Sequence, residues 1–269
     1  MKTSIKPAIG NLQVNGIHIS YRRAGNGPPI MFVHGGASDS RTWTPQLKAL
    51  SDAFTVIAWD EPGAGRSSDV PDNFELSDYA DCLAGLISQL GIAPAHLAGL
   101  SWGSTVSLEL YRRHPHLVRT MILAGGYAGW KGSLGEEEAQ ARLVGAHKML
   151  DTPEHQFDPT LPGLFEGAPP AKFVPLLEAM AADVRQDSLQ TALEIMAKTD
   201  LNHVLPNITA PTLLLWGALD ARSPLRIAKE FERKIPNVRL VVIAKCGHVI
   251  NLQTPEAFNK AIRIFCRSN

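Results

Sequence analysis

Three residues far apart in the chain have the types needed for acyl transfer: Ser101, Asp220 and His248. Ser101 lies in Gly99-Leu100-Ser101-Trp102-Gly103, a G-x-S-x-G pattern. An apolar run precedes it and a helically spaced run, residues 106–113, follows it. A serine in a tight strand-to-helix turn is held in a strained backbone conformation that lifts its hydroxyl clear of the sheet. Glycines two residues away on either side leave room where strand and helix crowd together. A helix beginning here also aims unpaired N–H groups and its positive dipole end at an oxyanion forming on a substrate. Asp220 follows Gly217-Ala218-Leu219, and His248 follows Lys245-Cys246-Gly247, each just past an apolar run. A serine hydroxyl needs a histidine to take its proton, and the histidine needs an acid to fix its tautomer and stabilise the imidazolium.

The elements that must position these groups are legible as short apolar runs alternating with helical patterns. Residues 12–23 alternate as an edge hairpin. Strands are predicted over 30–33, 54–59, 95–100, 120–124, 211–216 and 238–243, each a short apolar run, with 30–33 reading as buried on both faces. Helices are predicted over 42–50, 76–90, 224–234 and 255–265. This βαβ rhythm implies an α/β fold with a mostly parallel sheet, in which ligands gather beyond the carboxyl ends of the strands. Ser101, Asp220, His248 and the loop His34-Gly35-Gly36-Ala37-Ser38 all fall there. The glycine pair lets backbone N–H groups face a ligand, so Gly36 and Trp102 are expected to supply the two N–H groups of an oxyanion hole. Asp60 and Ser67, in the loop after the 54–59 strand, are read as braces for that loop and not as catalytic groups.

The strand signals stop between residues 129 and 207. Helices are predicted over 136–150, 171–184 and 188–197, with a Pro/Gly-punctuated loop at 158–163. Residues 1–128 and 208–269 therefore form the core, and 129–207 a helical lid inserted into it, too short to bury a core of its own. Trp130, Leu143, Met149, Phe157, Phe165 and Met180 are expected to roof a pocket, with Val249 beside the histidine. Glu136, Glu137 and Glu138 read as the acidic first turn of a helix.

The 269 residues suit one large α/β unit, and 45% are hydrophobic. There are 26 basic and 26 acidic residues, a balance that argues against nucleic acid or an anionic membrane as partner. Met1 to Pro7 lead into no apolar signal region, and no uncharged run approaches the length of a membrane span. Cys82, Cys246 and Cys266 are few and scattered, as expected of reduced thiols in a cytoplasmic protein. Self-association into a homo-oligomer is compatible with these features.

Over nearly its whole length the chain resembles the α/β-hydrolase fold superfamily. The resemblance is carried by His34-Gly35-Gly36, Asp60-x-x-Gly63-x-Gly65-x-Ser67, Gly99-x-Ser101-x-Gly103, Gly217-x-x-Asp220 and Gly247-His248. It implies a Ser-Asp-His triad in that chain order. Serine at position 101 sets aside the dehalogenases and epoxide hydrolases of the superfamily, which use aspartate there. The small lid is similar to that of carboxylesterases, enol-lactonases and carbon–carbon bond hydrolases, and Ser101-Trp102-Gly103-Ser104-Thr105 resembles the elbow of prolyl aminopeptidases. The expected activity is hydrolysis of a small carboxylic ester or lactone through an acyl-enzyme, with no metal or organic cofactor required. Peptide-bond cleavage at an N-terminal residue, carbon–carbon cleavage and a ligand-sensing role on the same fold are the alternatives. An aminopeptidase would need lid carboxylates, for which Glu136, Glu137, Glu138 and Asp151 are the candidates.

Overall fold

The apolar runs do become strands. The computed structural model describes residues 7–150 and 162–269, and among these eight strands make one sheet. In chain order they are β1 (Ala8–Val14), β2 (Ile17–Ala24), β3 (Pro29–Val33), β4 (Thr55–Trp59), β5 (Ala95–Leu100), β6 (Val118–Ala124), β7 (Thr212–Gly217) and β8 (Val238–Ile243). The spatial order is β1-β2-β4-β3-β5-β6-β7-β8. The edge hairpin β1–β2 and the β2–β4 pair are antiparallel, and all other pairs are parallel.

The two-residue period of each strand divides the core into two layers. Met31, Val33, Ile57, Trp59, Leu97, Leu123, Leu214 and Trp216 point to one face. They pack there with α2 (Leu76–Gln89), α3 (Trp102–Arg113) and α8 (Leu225–Lys234). Ile30, Phe32, Val56, Ala58, Ala98, Ile122, Leu213 and Leu215 point to the other, against α1 (Thr44–Leu50) and the C-terminal α10 (Pro255–Ser268). A sheet covered on both faces needs strands that are apolar on both sides, which is why the runs do not alternate with polar residues. All three cysteines are buried as free thiols. Among the described residues no helix is long and apolar enough to cross a membrane.

Helix starts depart from expectation where proline intervenes. The helix expected over 42–50 begins as a 3-10 turn, Ser40–Trp43, and becomes α-helical from Thr44 with Pro45 in its first turn. That over 171–184 likewise begins as the turn Ala171–Phe173 before α6 (Val174–Ala182), with Pro175 at its start. Proline tolerates a first turn because the N–H it lacks would have no partner there.

Between β6 and β7 the chain forms α4 (Trp130–Leu134), α5 (Glu136–Leu150), α6 and α7 (Gln186–Lys198). The short α4 was not expected, nor was α9 (Ile250–Gln253) after His248. Part of the punctuated loop at 158–163, together with Phe157 and Asp151, lies outside the described residues.

One tight crossing in the fold is where α3 leaves β5. A Cβ added at Gly103 would run into the backbone carbonyl oxygens of Val33 and His34, at the end of β3. Gly103→Ala should therefore destabilise the protein by about 3 kcal/mol, because backbone cannot move aside as a side chain can. Gly145→Ala, on α5 with open space around its Cα, should instead stabilise by about 0.5–1 kcal/mol. Urea denaturation midpoints of the two variants check both signs.

Candidate active site

Ser101 stands between β5 and α3 with φ 54° and ψ −118°, a conformation that L-residues rarely adopt. The turn is fastened on both sides: Ser101 N–H donates to the Ala124 carbonyl at 2.9 Å, and the Ser104 hydroxyl donates to the Ser101 carbonyl at 2.5 Å. Trp102 opens α3, so its N–H has no acceptor within the helix. The parallel pairing of β3 with β5, Val33 opposite Gly99, carries His34-Gly35-Gly36 alongside. A Cβ on Gly35 would sit 3.4 Å from Ser101 Cβ, and one on Gly36 4.0 Å from Trp102 Cβ. Gly36 and Trp102 line the same cavity as Ser101.

Asp220 and His248 come from the ends of the adjacent strands β7 and β8. His248 Nδ1 lies 2.8 Å from Asp220 Oδ2, with the aspartate side chain wholly buried. Asp220 Oδ1 accepts from the N–H groups of Arg222 at 2.9 Å and Ser223 at 2.7 Å. With Nδ1 taken by the Asp220 carboxylate, Nε2 is the ring nitrogen left to accept a proton. His248 lines that cavity with Ser101, and Asp220 lies behind it. Two backbone N–H groups, of His248 and Val249, donate to the single carbonyl of Leu164 at 3.0 and 2.9 Å. The inserted segment so seats the histidine loop. Gly247 makes this approach feasible, since a Cβ there would lie 2.8 Å from Glu166 N and Phe165 C.

The cavity has a volume of about 610 Å³. Trp130, Met149, Phe165, Met180 and Val249 line it. Leu143 does not. On α5 the cavity is faced by Arg142, Gly145, Ala146 and Met149, an i, i+3, i+4, i+7 stripe. Leu143 is turned about 100° from that stripe and packs against the main core instead. Glu136 pairs with Lys131, and Glu138 with Arg142 and Arg226. Among the described residues no carboxylate lines the cavity.

Asp60 and Ser67 act as braces. Asp60 accepts from Ser40 N–H at 2.8 Å and Arg66 N–H at 3.1 Å, while the Ser67 hydroxyl donates to the Asp60 carbonyl at 2.6 Å. The neighbouring Glu61 escaped notice in the sequence, where nothing distinguishes it from an exposed loop acid. It is buried; its Oε2 accepts the Trp102 indole N–H at 2.9 Å, and its own N–H donates to His34 Nε2 at 3.2 Å. One residue therefore links both sides of the serine. Burial pushes its carboxyl up from 4.5 to about 7, against the opposing pull of His34 and the indole.

A profile of the alpha/beta hydrolase fold matches residues 28–255. A pimeloyl-[acyl-carrier protein] methyl ester esterase of Neisseria meningitidis is 30% identical over 250 residues, covering 88% of this chain and 92% of that protein. An esterase of Thermogutta terrifontis, solved with malate bound, superposes with a TM-score of 0.83 at 27% identity, over 97% of this chain and 98% of that one. The enol-lactonase of Burkholderia xenovorans superposes with a TM-score of 0.77 at 25% identity, over 96% and 100%.

Glu61 gives the stability a pH dependence of definite sign. Its carboxyl is protonated more readily in the folded than in the unfolded state, so its favourable contribution is complete below pH 4.5 and is lost as pH rises through 7. The loss amounts to roughly 3 kcal/mol at most. Glu61→Gln keeps an acceptor for the indole and removes the titration. Denaturant midpoints between pH 4.5 and 7.5 should fall less steeply in the variant than in the wild type.

Proposed function

The chain belongs to the alpha/beta hydrolase fold family and is a hydrolytic enzyme; from that premise we propose that it cleaves a small carboxylic ester or lactone through an acyl-enzyme on Ser101. The observation that carries this reading is the Asp220–His248 bond at the sheet edge where Ser101 enters the same cavity in a strained turn. His248 Nε2 takes the proton of Ser101 Oγ as the hydroxyl oxygen attacks the substrate carbonyl. The tetrahedral oxyanion is held by the N–H groups of Gly36 and Trp102, which need no reorganisation because the surrounding backbone already fixes them. The imidazolium, stabilised by Asp220, then gives its proton to the departing alkoxide. Water activated by His248 hydrolyses the acyl-enzyme and restores Ser101. The described part of the segment between β6 and β7 serves as a lid whose inner face holds the acyl chain against Trp130, Met149 and Phe165.

Incubation with a fluorophosphonate, read by intact-protein mass, should add one label to the wild type and none to Ser101→Ala. On p-nitrophenyl butyrate Ser101→Ala should lose at least about 10⁴-fold in kcat, and Asp220→Asn a comparable factor through the wrong histidine tautomer. A folded wild type that takes no label, or a Ser101→Ala that retains turnover, would overturn the assignment. Proline p-nitroanilide and a small lactone in the same panel separate peptide and lactone chemistry from simple esters.

A further inference from the structure

The cavity beside Ser101 is mostly apolar, with two guanidinium-bearing residues in its wall, Arg142 on α5 and Arg222 in the loop after β7. Their situations differ. Arg142 is a clamp: Nη1 donates to the Arg222 carbonyl at 2.9 Å and to Tyr127 Oη at 3.1 Å, and Nη2 donates to Glu138 at 2.9 Å. It also stands 5.9 Å from the centre of the Trp130 ring. Glu138 answers part of its charge, but that carboxylate is shared with Arg226 at 3.1 Å and lies outside the cavity.

Arg222 is held at its backbone and open at its head. Its N–H donates to Asp220 Oδ1, its carbonyl accepts from Arg142 and Tyr127, and its Cγ and Cδ lie against Gly163. Among the described residues the guanidinium itself pairs with no carboxylate and no carbonyl. Arginine cannot escape such a place by losing its proton. Arg222 is partly buried beside an apolar wall, with no counter-ion among the described residues. It interacts with an incoming anion more strongly than an exposed guanidinium does.

We propose that Arg222 is a carboxylate-binding subsite, with Arg142 fixing its position, and that the substrate carries a free carboxylate besides the carbonyl attacked by Ser101. The substrate is thus a half-ester of a dicarboxylic acid or a lactone that carries a free carboxylate. The planar fork of Arg222 takes the distal carboxylate in two parallel hydrogen bonds, while the carbon chain between the two ends lies on the apolar wall. This rests on Ser101 being the nucleophile. Because Arg222 follows Asp220 by two residues, the subsite and the acid that orients His248 are carried by one turn.

The test compares mono-p-nitrophenyl esters of succinate, glutarate and adipate with p-nitrophenyl butyrate, on wild type, Arg222→Gln and Arg222→Lys. In Arg222→Gln the ratio of kcat/KM for the best charged ester to that for butyrate should fall by about 30-fold or more, chiefly through KM. Arg222→Lys, which keeps the charge without the fork, should recover part of that ratio. Calorimetric titration of glutarate into Ser101→Ala, with and without Arg222→Gln, reads the site independently of turnover and should show a matching loss of affinity. An unchanged ratio, or glutarate binding that ignores Arg222, overturns the proposal. Arg222-dependent glutarate binding in a wild type that hydrolyses no ester would uphold the anion subsite and refute the hydrolase assignment.

Discussion

The approach of α3 to the end of β3 constrains everything at the carboxyl edge of the sheet. Gly103 presses its Cα against the carbonyls of Val33 and His34, leaving no space for a side chain. That contact forces the chain to turn within Ser101, and the positive φ of the serine is its result. Gly35 and Gly36 lie beside the turn, where an added Cβ would stand 3.4 Å from Ser101 Cβ and 4.0 Å from Trp102 Cβ respectively. A strained serine and a neighbouring pair of N–H groups are thus two consequences of one backbone crossing. The energy to hold the strain comes from β5, buried between β3 and β6, and from the two hydrogen bonds that fasten Ser101 on either side.

On the other side of the cavity, His248 depends on two different parts of the chain. Asp220 fixes its ring from behind, and the Leu164 carbonyl fixes its backbone from the inserted segment. Gln253 adds to this by accepting from Gly247 N–H at 2.8 Å while donating to the Glu166 carbonyl at 2.8 Å. The segment between β6 and β7 and the loop that bears His248 are therefore joined by several hydrogen bonds. Changes in residues 164–166 would reach the chemistry through the histidine as well as through the pocket wall.

Charge is distributed unevenly around the serine. Beneath the turn, Glu61 is buried against the Trp102 indole and has a raised carboxyl pKa, because desolvation outweighs its hydrogen bond. In the cavity wall the ionised groups are cationic, and no described carboxylate opposes them there. A negatively charged substrate would meet a complementary wall, while the acidic groups near the site are turned inward or held in pairs.

The sequence by itself determined the sheet and the edge at which Ser101, Asp220 and His248 lie. Strands buried on both faces must be continuously apolar, and the chemistry-bearing residues fall just past their carboxyl ends. Gly99-x-Ser101-x-Gly103, Asp220 and His248 were legible for that reason, as was the bracing by Asp60 and Ser67. Helix starts were less so, since Pro45 and Pro175 allow a 3-10 turn before the helix proper. The tertiary structure alone decided which side of α5 faces the cavity. A weakly amphipathic helix with both Leu143 and Arg142 has no unique inner face until its neighbours are placed, and packing turned the leucine to the core and the arginine to the pocket. Glu61 and Arg222 were illegible for the same physical reason: a charged residue in a loop reads as solvated unless its surroundings are known. Only the folded chain buries one and leaves the other facing the cavity.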